Sequence, residues 1–111
     1  MATTRAEFAA ALSTVAGVTG YQYRPAAMRP GDAWPTLAVL ERADGLAFEA
    51  TWSVWVILPS DEKAASEQTD ALVGPLVAAL EPVAFVDRIT PSLVKTSGGD
   101  LFALEITVRS E

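Results

Sequence analysis

The side chains able to carry chemistry in this sequence are carboxylates, a few serines and a pair of adjacent glycines. Asp61-Glu62, Glu67 with Asp70, or Asp87 beside Arg88 could in principle supply a general acid/base pair or an oxygen-ligand metal site. Each has a simpler local reading. Pro59-Ser60-Asp61-Glu62 has the form of a helix entry, where a capping oxygen and acids meet the positive end of the helix dipole. Glu67 and Asp70 fall on the polar side of the helix that follows, and Asp87-Arg88 on a solvated strand face. None has the D-x-D-x-D-G spacing of a calcium loop. Gly98-Gly99 precedes no helix start and no GK[ST], so it reads as a turn rather than a phosphate cradle. Ser13, Ser53 and Ser60 lack a G-x-S-x-G context. No catalytic constellation, cofactor or metal site is expected.

Composition narrows the chemistry further. The 111 residues contain neither Cys nor His. That removes disulfides, thiolate nucleophiles, Cys- or His-ligated metals, the Ser-His-Asp triad and any side chain with an unperturbed pKa near neutrality. Eight Lys and Arg against fourteen Asp and Glu give a net charge of −6. The cations are scattered singly, whereas tight binding to phosphates needs a basic stripe. No apolar stretch approaches the roughly 18–20 residues of a membrane span. Glu7 and the weak, Ala-dominated hydrophobicity of Phe8–Val18 argue against a signal peptide. A single domain over residues 1–111 is expected.

The elements that would position these residues follow from spacing. Thr4 and Glu7 have the capping-box spacing, and Phe8, Leu12 and Val15 share one face of the helix they open. A strand is expected over Thr19–Arg24, followed by a Pro-rich loop from Pro25 to Pro35. Thr36–Glu41 reads as a buried strand and Arg42-Ala-Asp-Gly45 as a hairpin turn. In Phe48–Leu58, residues Phe48, Ala50, Trp52, Val54, Val56 and Leu58 lie on one side. Glu49, Thr51, Ser53, Trp55 and Ile57 lie on the other, which turns apolar toward its end. A second helix has the inward stripe Ala65, Thr69, Leu72, Val73, Leu76, Val77 and Leu80. Gly74-Pro75 predicts a kink there, or a break into two short helices. Val83–Thr96 is extended, with Pro91 marking a bulge or an edge, and Leu101–Arg109 closes the chain as a strand. The order α-β-β-β-α-β-β predicts an α+β fold: a mostly antiparallel sheet of four to five strands with both helices on one face.

The aromatic residues point to contact surfaces. Trp52 faces the apolar side and belongs to the core. Trp55 points the other way, either covered by its own chain's loop or in contact with another subunit. Trp34, in the Pro-rich loop, reads either as an interface anchor or as a pin holding that loop to its own domain.

The succession "TTRAEFAAAL", Gly-x-x-Gly-Tyr, a Pro-rich loop, "WPTLAVLERADG", "FEATWSVWVILP", "SDEKAASEQTDALVGPLVAALEP" and "FALEITVRS" resembles the tail terminator (tail completion) proteins of long-tailed bacteriophages, as found in phages and prophages of actinobacteria. The resemblance covers nearly the whole chain and rests on element order and texture. It implies a structural, non-enzymatic virion protein, assembled in the host cytoplasm and residing in the tail or neck. Such proteins form a hexameric ring on the tail tube, stop its polymerisation and dock to the head connector or stopper, while DNA passes through the lumen without specific binding. It further implies that Trp55 and Ile57 lie between subunits. Other interface candidates are Met28, Arg29 and Trp34 in the Pro-rich loop, Arg42 and Asp44 at the hairpin turn, and Asp100 at the last turn. No membrane contact is expected. A head–tail stopper is the nearest alternative, and a small ligand-binding α+β domain or carboxylate-only enzyme is the alternative of a different class. On the ring reading, Trp55→Ala combined with Ile57→Ser is expected to break the assembly, as read by native mass spectrometry.

Overall fold

The computed structural model describes residues 4–42, 48–96 and 98–110. Thr4 opens the first helix: its side-chain oxygen accepts the Glu7 N–H at 3.2 Å, and α1 runs Arg5–Ser13. Its apolar stripe is the predicted one, with Phe8 and Leu12 fully buried and Val15 nearly so. Gly17 (φ +81°) then turns the chain into a two-residue strand, β1 (Thr19–Gly20). The strand expected to reach Arg24 therefore stops at Gly20. Tyr21 donates one last hydrogen bond to the Ala33 carbonyl. The Gln22 carbonyl accepts instead from Arg5, whose guanidinium stacks over the Tyr23 ring.

The next strand, β2 (Asp32–Arg42), begins earlier than the sequence indicates and shortens the Pro-rich loop. Asp32 causes this. Its carboxylate accepts the Arg29 N–H at 2.9 Å and its own N–H donates to the Arg29 carbonyl. With Gly31 at φ +93°, the turn closes and delivers Trp34 and Pro35 into the strand. Gly31 has a second reason to be glycine, because an added Cβ would lie 2.2 Å from the Gly17 carbonyl oxygen.

β3 (Phe48–Ile57) precedes α2 (Glu62–Leu80), whose N-cap is Asp61. Of the kink or break expected at Gly74-Pro75, the break does not occur: α2 is continuous through Pro75. Pro75 removes the bond to the Ala71 carbonyl, but Ala71, Gly74 and Pro75 are all exposed. Water can satisfy the freed oxygen there. β4 (Phe85–Thr96) and β5 (Gly99–Ser110) complete the chain.

The fold is α+β, with the predicted element order. The sheet order is β1-β2-β3-β5-β4. β1 is parallel to β2 and the remaining pairs are antiparallel. Pro91 lies on the edge strand β4, where a missing N–H costs no ladder bond. The bulge lies elsewhere, at Asp87 between Val86 and Arg88. Both helices cover one face: Phe8, Leu12, Leu72, Leu76 and Leu80 pack on Trp52, Val54 and Val56 of β3 and on Leu104, Ile106 and Val108 of β5. Phe8 and Trp52 meet with ring centroids 5.2 Å apart and planes tilted by 58°, a favoured aromatic geometry.

Two glycines give opposite expectations. Gly74 has open space around its Cβ position, so Gly74→Ala should stabilise the chain by about 0.5–1 kcal/mol through helix propensity. Gly31→Ala meets both a left-handed backbone and a carbonyl, and should cost at least ~2 kcal/mol. Urea unfolding of the two variants checks the signs.

Candidate functional site

The face of the sheet away from the helices was the expected contact surface, and strand register defines what it carries. Trp34 pairs with Trp55, Trp55 with Glu105, and Ser92 with Ala103. Residues directly opposite in an antiparallel pair share a face. This face therefore combines an apolar end with a polar middle, where the Ser53 hydroxyl donates to the Glu105 carboxylate at 2.8 Å.

The apolar end is not an open patch. Trp34, Ile57, Val94 and Ala103 form a second buried cluster, with Met28, Trp55 and Leu101 packed against it. Trp34 retains 3% of its exposure and Ile57 only 1%. The loop carrying Met28 is held by three backbone ties: Gly31 N–H to the Ile57 carbonyl, Thr19 N–H to the Gly31 carbonyl, and the Arg29–Asp32 turn. Arg24 adds a longer tie, donating from Nη2 to the Lys95 carbonyl at 2.7 Å. Arg5 completes the set, donating from Nη1 to the Pro35 carbonyl at 3.0 Å while lying over both Tyr23 and Trp52.

This placement corrects two interface candidates. Trp34 is a strand residue that pins the loop to its own domain, and Ile57 is covered by the same chain. Of the alternatives for Trp55, the half-buried residue lies against its own chain's cluster. Met28 is half-buried as part of the cover, and Arg29 is exposed beside it. Arg42 is exposed at the far end of β2, and Asp100 is exposed where β4 and β5 meet, opposite Lys95. Asp44 lies outside the described residues. Met28, Trp34, Trp55 and Ile57 are thus brought together in one intrachain cluster, with Arg29 beside it, whereas Arg42 and Asp100 lie at other strand ends.

Large apolar side chains are exposed elsewhere. The β2–β3 hairpin runs beyond the helices, so Leu40 and Phe48 stand 57% and 55% exposed, with Leu37 and Val39 nearby. Phe48 was placed in the core stripe by its alternation. It follows that alternation, but the helical layer does not reach it. Along β4, Phe85 and Leu93 are exposed, and Arg109 stacks on Phe85 at 4.9 Å. Arg109 also donates to Asp87 at 2.7 Å and lies 3.9 Å from Glu49. The hydrogen bond and charge of Asp87 raise its pKa above the ordinary arginine value.

The cleft between α2 and the β4–β5 end, about 300 Å³, is lined by Leu58, Ala65, Phe102 and Ala103, with exposed Glu62 and Asp70 at its margin. Asp32 is the buried carboxylate among the described residues, and it is spent on the Arg29 turn. Among the described residues no cluster of three acids could hold a metal ion, and no helix is long and apolar enough to cross a membrane.

Compared with known proteins, the chain matches no protein-family model and no curated protein.

Because Ile57 is buried, Ile57→Ser reports on folding and not on assembly. Ile57→Ala should cost about 2–5 kcal/mol in the isolated chain. Met28→Ala should uncover Trp34, increasing acrylamide quenching of tryptophan fluorescence at a stability cost near ~1–2 kcal/mol. Unchanged quenching would show that Met28 is not the cover.

Proposed function

We propose that this chain is a structural virion protein of the tail-terminator type. Six copies form a ring on the end of a tail tube, end its polymerisation and join the tail to the head connector, with DNA passing through the lumen unbound. It makes and breaks no bond. The observation that carries this reading is where the molecule leaves apolar surface. Leu40, Phe48, Phe85 and Leu93 are exposed on a protruding hairpin and an edge strand, while the clefts hold no desolvated nucleophile or acid among the described residues. Leu40 and Phe48 share one face of the hairpin by register, and exposed apolar side chains grouped in this way mark contact with other proteins. The α+β fold with the predicted element order is compatible with the resemblance, and the net charge of −6 suits a collar that must not hold a passing phosphate chain. Different surfaces at the two sides of one subunit suit a head-to-tail ring, which needs two unlike patches.

The decisive measurement has two parts. Sedimentation or native mass spectrometry of the purified chain should give a species of six times the monomer mass. Added to polymerising tube protein, the chain should arrest elongation and appear at one tube end in cryo-EM. A ring that binds the head connector but leaves tube growth unchanged would instead identify a stopper. A chain that stays monomeric and ignores both partners would overturn the reading.

A further inference from the structure

The two borders of the sheet carry different backbone inventories, and these fit each other. Along an antiparallel strand, alternate residues turn N–H and C=O to opposite sides. On β2 the carbonyls of Ala33 and Pro35 point away from β3, since Tyr21 N–H and Arg5 Nη1 reach them there. β1 pairs with Asp32 and Ala33, and among the described residues no strand lies along the rest of that border. Carried across the irregularity between Leu37 and Val39, the alternation turns the N–H and C=O of Leu40 outward. Thr36 to Glu41, which the sequence reads as a buried strand, are exposed along this stretch because no strand or helix among the described residues covers this border. An exposed, apolar strand border is a template for another strand unless it is blocked.

The same alternation reads across the sheet to β4. Val54 and Trp52 turn their backbone toward Ile106 and Val108 of β5, so Glu105 and Thr107 turn toward Thr90 and Arg88 of β4. Ile89 and Pro91 are then left facing outward. β2, β3, β5 and β4 alternate in direction, so β2 and β4 run opposite ways. A second copy set beside the first in the same orientation brings its β4 antiparallel to the first copy's β2.

We propose that copies of this chain join edge to edge, β2 of one against β4 of the next, with Leu40 opposite Ile89. This register sets Val39 against Thr90 and Glu41 against Arg88. Each pair shares a face of the sheet, and the last places a carboxylate beside a guanidinium across the join. A shift of two residues one way puts Leu40 opposite Pro91, which has no N–H to offer. A shift the other way puts it against the bulge at Asp87. The contact is heterologous and so repeats from copy to copy. It names the join in the ring proposed above and rests on that reading for the number of copies.

The absence of cysteine from the chain makes the test specific. Val39→Cys and Thr90→Cys sit at exposed positions that would form a non-hydrogen-bonded cross-strand pair, close enough for a disulfide. Each variant is first matched to the parent chain by its urea midpoint, then oxidised alone, mixed, or combined in one chain. The mixture should give at least ten times more covalent dimer than either variant alone, and the double variant should give a ladder of covalent oligomers. Efficient dimerisation of Val39→Cys alone would reveal a two-fold β2–β2 contact and overturn the proposal. No cross-linking, with the parent chain still sedimenting as an oligomer, would overturn the edge contact and leave the ring reading standing. No cross-linking with a monomeric parent chain would overturn both.

Discussion

Burying β3 on both of its faces imposes a demand that the two helices alone cannot meet. Trp52, Val54 and Val56 lie under α1 and α2, but Ile57 points to the opposite side, and leaving such a side chain in water forfeits roughly 1.5–3 kcal/mol. The segment between β1 and β2 contributes to the missing cover, with Met28 packed against the cluster that holds Ile57, Val94 and Ala103. That segment can return over the sheet because Gly17 and Gly31 let two backbones meet where a Cβ would strike the Gly17 carbonyl oxygen. Asp32 then fixes the point at which the loop becomes strand. The second cluster is therefore a consequence of β3 being central. It is an intrachain core, built on the face that the alternation pattern alone leaves open.

The helical layer is shorter than the sheet it covers. The chain measures 47 × 29 × 21 Å, and the β2–β3 hairpin continues beyond α1. There the apolar alternation persists without a layer to bury it, and Leu40 and Phe48 remain in water. Opposite charges hold the other face of this end: Glu41 and Glu49 are cross-strand partners, a repulsive arrangement on its own, and Arg109 lies between Glu49 and Asp87. These pairs are exposed and contribute little to stability. Their effect is to keep the sheet's polar face soluble next to exposed apolar side chains.

Local signals in the sequence were read well, and long-range ones less so. Thr4 with Glu7, and Asp61 at the second helix, specify caps through contacts three residues away, so both helix starts were legible. The alternation in β3 was legible because one face meets a continuous core. Trp34 was misplaced because the end of the Pro-rich loop is set by Asp32 closing on Arg29, a side chain-to-backbone bond with no periodic signature. Ile57 reads as an interface residue in the sequence because the residues of its cluster, Trp34, Val94 and Ala103 with Met28 against them, are distant in sequence. Pro75 leaves α2 continuous because the Ala71 carbonyl it frees lies at an exposed position, and that depends on which side of α2 meets the sheet. Arg5 and Arg24 were missed altogether: as single cations in sequence they carry no motif, and their partners are the carbonyls of Pro35 and Lys95.

Once both faces of β3 are covered, the valence left over in the sheet is mainly backbone at its borders, and magnitudes indicate how strongly it can bind. In an isolated chain, water satisfies those groups, so each new interstrand hydrogen bond contributes only about 0.5–1.5 kcal/mol net. A short join between β2 and β4 offers a few such bonds and the burial of Leu40 beside Ile89. Against this stands an association cost of roughly 4–15 kcal/mol in lost translational and rotational freedom. A single join is therefore weak and depends on concentration. In a closed ring the last copy gains two joins while losing its freedom only once, so closure is favoured over open chains. A platform that collects copies removes much of the remaining entropy cost. On the proposed edge contact, it is ring closure rather than any single join that would hold the copies of the purified chain together.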